Sequence, residues 1–173
     1  SLNPHPPPRA PKPAPPLSAL PVPALSALQE RQNLAVARAR FSTVAVRAFN
    51  ARQPSVQNVG AGAMLSCKGH VVTNSHVITS FDTVEVGLLE QGGLKYYAVS
   101  VLRNDPKQDL ALLKIRKLAE FRQVALATTE VELGQPVLAI GSPFGYNHTV
   151  TAGIVSKRRR TITMGTASFP DMI

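Results

Sequence analysis

Two side chains in this 173-residue sequence stand where proton-transfer chemistry would need them. His76 follows the run His70-Val71-Val72-Thr73 in the segment Gly69 to Ile78, so a short apolar strand carries it to a polar end. A histidine at the rim of a barrel, with one ring nitrogen facing solvent, is placed to act as a general base. The same position also suits a structural histidine satisfied by its neighbours. Asp109 opens the nearly continuous apolar run Leu110-Ala111-Leu112-Leu113-Lys114-Ile115, so the strand after it is buried and draws the carboxylate partly inside. A carboxylate withdrawn from water needs a partner. His76, 33 residues upstream, is one candidate. An aspartate that accepts the imidazole N–H fixes its tautomer and stabilises the imidazolium formed during proton transfer. Backbone N–H groups of a turn that Asp109 would cap are the other.

The elements that must position these residues read as strands. After Pro54 the sequence becomes short β-type runs bounded by Gly, Asn, Asp and Pro, with little sustained helical period. Strands are predicted near Ala63–Ser66, His70–Thr73, Thr83–Leu89, Tyr96–Leu102, Leu110–Ile115, Val124–Ala127, Val137–Gly141 and Thr149–Ser156. Residues Thr83 to Val86 and Tyr97 to Val101 alternate as half-buried strands do, and Gln91-Gly92-Gly93 between them supplies a hairpin turn. Together these runs predict a small antiparallel barrel. Gly134 to Gly145 followed by Thr149 to Ser156 makes a further hairpin with no partner strands left to it, which reads as the start of a second barrel.

The first third of the chain differs. Ten of the fifteen prolines lie in residues 1–23, which predicts an extended, disordered tail. Residues 24–52 are rich in Ala, Leu, Val and Arg and read as a basic leader or linker, with a positively charged amphipathic helix and an organelle transit peptide as the functional reading. Residues 1–52 carry Arg9, Lys12, Arg31, Arg38, Arg40, Arg47 and Arg52 against the single acid Glu30, so they hold +6 of the net +9. The charge therefore belongs to a tail and to the cluster Lys157 to Arg160, not to a folded basic face, and this weighs against nucleic acid as a partner. The only cysteine, Cys67, excludes an internal disulfide and reads as a small buried thiol. The best apolar stretch, Leu17 to Leu28, is broken by Pro21 and Pro23, so no membrane span is expected.

Residues 53–173 resemble the HtrA/Deg branch of the trypsin-like serine proteases. The resemblance rests on Val72-Thr73-Asn74-Ser75-His76-Val77, on Asp105-Pro106-Lys107-Gln108-Asp109-Leu110-Ala111-Leu112-Leu113-Lys114-Ile115, on Gly134-Gln135-Pro136-Val137-Leu138-Ala139-Ile140-Gly141-Ser142-Pro143-Phe144-Gly145, and on Thr149-Val150-Thr151-Ala152-Gly153-Ile154-Val155-Ser156, in the family's order and spacing. It implies an all-β fold, a trypsin-like double β-barrel with the first barrel present and the second only begun. It implies His76 as the catalytic general base and Asp109 as its orienting carboxylate. It also implies an ATP-independent endopeptidase acting on unfolded or damaged proteins, with no cofactor and no metal, and commonly assembled as a trimer. The run Phe144 to Thr149 looks most like plant and algal Deg proteases, so chloroplast is the first compartment expected, ahead of mitochondrion and bacterial periplasm.

Departures accompany the likeness. Gly60-Ala61-Gly62 stands where the family has Gly-Ser-Gly, and the stretch from Pro54 to Gly60 is short. No Gly-x-Ser-x-Gly occurs, and the family's nucleophile motif is expected about ten residues beyond Ile173, so the chain as given reads as inactive alone; a peptide- or partner-binding pseudoprotease is the rival reading. Ser142 reads as a loop residue, the pair Cys67 and His70 lacks the further ligands of a zinc site, and Lys157 to Arg160 reads as a solvated loop.

Overall fold

The computed structural model describes residues 22–90, 93–117, 119–141, 149–158, 160–164 and 167–172. The chain divides into two compact units, Ser1–Leu34 and Ala35–Ile173. The described part of the first is helical and belongs to α1 (Val22–Ala39), whose Ala, Leu, Gln and Arg residues are strong helix formers. The helix stops where Phe41, Ser42 and Thr43 favour extended backbone. There the Ser42 N–H and the Thr43 hydroxyl both donate to the Ala39 carbonyl, at 2.9 and 3.1 Å, occupying one of the acceptors a helix end leaves open. The expected disordered tail lies outside the described residues except at Val22 and Pro23, which open α1.

The second unit is built on six antiparallel strands, β1 (Thr43–Asn50), β2 (Gln53–Met64), β3 (His70–Thr73), β4 (Thr83–Glu90), β5 (Gly93–Asp105) and β6 (Leu110–Ile115). They close in the order β1-β2-β3-β6-β5-β4, with β4 returning to β1. Period-two alternation sends Val44, Val46 and Ala48 of β1, Val84 and Val86 of β4, and Ala111, Leu113 and Ile115 of β6 into one core with Met64, Val71 and Val99. Burying each larger aliphatic side chain stabilises the barrel by about 1.5–3 kcal/mol before entropy is set against it.

The connection that leaves β3 decides which strand ends meet. After β3 the chain departs from the sheet through a single helical turn, α2 (Ser75–Ile78), builds β4 and β5, and returns so that β6, not β4, pairs with β3. In that register Thr73 faces Ala111. The end of β3 and the start of β6 therefore lie side by side, although the sequence between them spans a full hairpin.

Beyond the barrel, β7 (Pro136–Gly141) pairs with β8 (Thr149–Ile154), and β9 (Arg160–Met164) pairs with β10 (Ala167–Met172), as two separate two-stranded sheets. The molecule is thus mostly β, one closed barrel followed by the beginning of another, as the sequence implied. Val137, Val150 and Ile154 of the β7–β8 hairpin remain exposed.

Four local expectations need correction. Thr43–Asn50 falls in the stretch assigned to a leader or linker, yet it is a barrel strand, because Val44, Val46 and Ala48 alternate inward despite the neighbouring arginines. Val124–Ala127 is not a strand; it follows the barrel rim, where the Val124 N–H donates to the Met64 carbonyl at 2.8 Å. Strands β9 and β10 occur where none was predicted. Cys67 is exposed, carried on the turn between β2 and β3. The β4–β5 hairpin stands, closing at Glu90 and Gly93, while Gln91 and Gly92 lie outside the described residues.

Candidate active site

The two residues singled out by spacing meet at one end of the barrel. His76 sits in α2 immediately after β3, and Asp109 immediately precedes β6, so the β3–β6 pairing brings them together. His76 Nδ1 lies 2.8 Å from Asp109 Oδ2, and the His76 main-chain N–H donates to Asp109 Oδ1 at 2.9 Å. One carboxylate oxygen therefore takes the ring and the other takes a main-chain N–H of α2, while the turn before β6 is capped by Asp105 through the Gln108 N–H. A single-turn helix leaves its early N–H groups without internal partners, and Asp109 supplies the acceptor from another strand.

Asn74, at the junction of β3 and α2, is extended and makes no cap of its own with its side chain. Its amide instead donates to Asp109 twice, to Oδ2 and to the main-chain carbonyl, each at 3.1 Å. Asp109 itself has φ of 51°, in the left-handed region that costs most residues energy but that aspartate tolerates better than most. On the other side of α2, the Asn58 amide of β2 donates to the carbonyls of His76 and Val77, both at 3.1 Å.

Sequence reasoning missed Asn58 and the bonding role of Asn74. An asparagine within a strand is disfavoured unless its amide is used, and that was the available signal at position 58. The Gly-Ala-Gly run has a steric cause. A Cβ at Gly60 would stand 2.7 Å from Val77 Cγ2, and one at Gly62 would stand 2.8 Å from the Val72 carbonyl oxygen. Bare backbone at these positions lets α2 and β3 close onto β2.

The electrostatics arise from this packing. The Asp109 side chain is 13% exposed and that of His76 is 68% exposed. Burial pushes the Asp109 carboxyl up, but the His76 N–H, the His76 ring and the Asn74 amide together outweigh it and hold the carboxyl below its ordinary value. An ionised carboxylate only accepts, so Nδ1 must carry the proton facing it. In the neutral ring this leaves Nε2 as a bare lone pair on the exposed side of the imidazole. That is the electronic state a general base requires.

The remaining candidates do not join this cluster. His70 Nδ1 lies 2.7 Å from Ser66 Oγ within the β2–β3 turn, and among the described residues no three His, Cys, Asp or Glu side chains gather as metal ligands. Arg158 pairs with Glu130 at 3.0 Å and also donates to the Val131 carbonyl. Ser142 lies outside the described residues. A cleft of about 450 Å³ separates Val59, Gly60 and Ala61 of β2 from Ala139, Ile140 and Thr149 of the β7–β8 hairpin.

The fold has known relatives. Residues 60–173 match the trypsin-like peptidase domain. A probable periplasmic DegP-like serine endoprotease of Ectopseudomonas mendocina is 39% identical over 111 residues, 64% of this chain and 23% of that protein. The chain thus spans less than a quarter of that relative's length. Among solved structures, the serine endoprotease from Yersinia pestis superposes with a TM-score of 0.64 at 31% identity, over 73% of this chain and 44% of that one. The HtrA-type protease AlgW with tripeptide gives 0.66 at 30% identity, over 79% and 43%. The chain belongs to the trypsin-like peptidase family, with DegP/HtrA-type serine endoproteases as its relatives.

Proposed function

We propose that this chain carries the base half of a serine endopeptidase of protein quality control, in which His76 is general base and acid and Asp109 orients it. The observation that carries this reading is the 2.8 Å contact between His76 Nδ1 and Asp109 Oδ2 with the opposite edge of the ring exposed. In the proposed reaction, Nε2 takes the proton of a serine hydroxyl as its oxygen attacks the scissile carbonyl. The imidazolium returns that proton to the departing amine, and the acyl-enzyme is hydrolysed when a water is activated in the same way. The serine and the donors for the developing oxyanion are not assigned among the described residues.

The substrates proposed are unfolded or damaged proteins, cut without ATP, since an extended segment is what an open cleft beside β2 accommodates. The tripeptide held by AlgW supports a peptide ligand. A trimer is the proposed assembly. Among the three compartments expected from the sequence, the relatives support the bacterial periplasm over the chloroplast and the mitochondrion. No described helix is long and apolar enough to cross a membrane.

The test is casein cleavage by two purified forms, the 173-residue chain and the same chain extended by its native downstream sequence. Cleavage by the extended form alone, abolished by His76→Ala, is the expected outcome. If neither form cleaves, the peptide-binding pseudoprotease becomes the better reading.

A further inference from the structure

Among the described residues the amide of Asn74 is the one group that touches Asp109 at both its backbone and its carboxylate, and it lies two residues before the proposed base. Its two N–H bonds are directed to different acceptors, Asp109 Oδ2 and the Asp109 carbonyl, each at 3.1 Å. The first shares Oδ2 with the His76 ring, so it fills a remaining lone pair of the oxygen that must stay aimed at Nδ1. The second holds the carbonyl of a residue whose φ of 51° would otherwise relax toward the more populated regions. Asn74 is itself extended and makes no cap bond to α2, so its side chain is committed to Asp109.

From this geometry we infer that Asn74 is a positioning residue, whose amide fixes the orientation and the charged state of Asp109 and thereby the tautomer of His76. The inference rests on the reading of His76 and Asp109 as base and orienting group, but the clamp itself is measurable without catalysis. Without the amide, the Asp109 carboxylate has two donors instead of three and is free to turn about χ2 between His76 N–H and the ring. A third donor to the ionised form is also a reason for the carboxyl to titrate low. The titratable and charged groups on the neighbouring elements are His76 on α2, Arg103 and Asp105 at the end of β5, and Lys107 in the intervening turn. Of these, Asp105 is engaged with the Gln108 N–H at 3.2 Å.

Asn58 provides the contrast. It also braces α2, through the carbonyls of His76 and Val77, but does not touch Asp109. A merely structural role for Asn74 would make the two asparagines behave alike.

The experiment tracks the Asp109 carboxyl carbon by NMR as a function of pH in the 173-residue chain, for wild type, Asn74→Ala and Asn58→Ala. The clamp requires the Asp109 midpoint to rise in Asn74→Ala and to stay in place in Asn58→Ala. An unchanged midpoint in Asn74→Ala, or equal shifts in both variants, overturns it. If Asn74→Ala does not fold, the wild type still decides. The Asn74 side-chain NH2 resonances must move with the Asp109 midpoint, and their failure to do so overturns the clamp. In the extended, casein-cleaving chain, Asn74→Ala is expected to lower kcat at least tenfold with KM within a factor of two. A KM effect with kcat intact overturns positioning. Absence of cleavage by the wild-type extended chain sinks the enzymatic reading alone, because the titration stands or falls by itself.

Discussion

Replacing Asp109 by asparagine tests the site most sharply, because size and backbone tolerance are kept while one acceptor becomes a donor. Asparagine also accepts φ near 51°, so the turn into β6 should survive. With its oxygen toward the His76 N–H, its NH2 points at both His76 Nδ1 and the Asn74 amide. Turned the other way, the NH2 meets the His76 main-chain N–H, which is fixed in α2, whereas the Asn74 side chain can rotate its own NH2 away, so the first orientation wins. The ring must then accept at Nδ1, which moves its proton to Nε2 and removes the lone pair that a nucleophile's hydroxyl would use. Loss of that tautomer costs about 10⁴-fold in kcat where the same constellation has been dissected. Stability falls as well. Hydrogen bonds to charged groups contribute about 1.5–3 kcal/mol, and solvent on the 68%-exposed ring discounts this to roughly 1–2 kcal/mol. With a urea m-value of about 2 kcal/mol/M, the midpoint should drop by about 0.5–1 M. The folded carboxyl titrates below the ordinary 3.8, so its stabilisation is complete above that value and is lost as pH falls through the lower folded value. The wild-type advantage should accordingly be present at pH 5 and shrink below about pH 3.8. The assay is fluorogenic casein cleavage by the extended chain, beside urea unfolding at pH 5 and pH 3. A variant retaining kcat within about tenfold of wild type would refute tautomer control by Asp109.

Two further perturbations address the scaffold. Gly62→Ala would place a Cβ 2.8 Å from the Val72 carbonyl oxygen and 2.9 Å from Val71 Cγ1, so β2 and β3 must separate; a loss of about 1–3 kcal/mol in urea unfolding is expected, and an unchanged midpoint would show that the close approach is not needed. Cys67, exposed on the β2–β3 turn, should react fully with a maleimide under native conditions and leave the unfolding midpoint in place, whereas protection until unfolding would restore the buried-thiol reading.

The pair that meets at the candidate site was legible in the sequence because each residue sits at a strand boundary. His76 lies just past the polar end of β3 and Asp109 just before the apolar run of β6, so position along the chain already stated position along the barrel axis. The strand limits of β3 and β6 were legible for the same reason, since alternation and flanking polar residues define them locally. β1 was not, because Arg47 and the basic stretch around it dominate the composition while only Val44, Val46 and Ala48 report the inward face. Arg47 is accommodated because it points outward to Glu85 on β4, with its guanidinium 3.7 Å from the Tyr96 ring centroid. That pairing depends on the closing of the barrel, which no local window contains.

Pairing order is what separates the legible from the hidden part of the site. The sequence places a histidine and an aspartate at strand ends, but only the β3–β6 pairing, skipping over β4 and β5, brings those ends together. Once Thr73 faces Ala111, the residues on either side of that pair have little freedom: Asn74 and His76 must meet whatever precedes Leu110. A carboxylate there satisfies a helix N–H, an imidazole and an amide at once, which explains why a single aspartate serves as both helix anchor and ring partner. The two roles of Asp109 do not compete, for the β3–β6 register makes each the condition of the other. A side chain that anchors α2 by the main-chain N–H of its second residue also fixes where the imidazole of that same residue can reach.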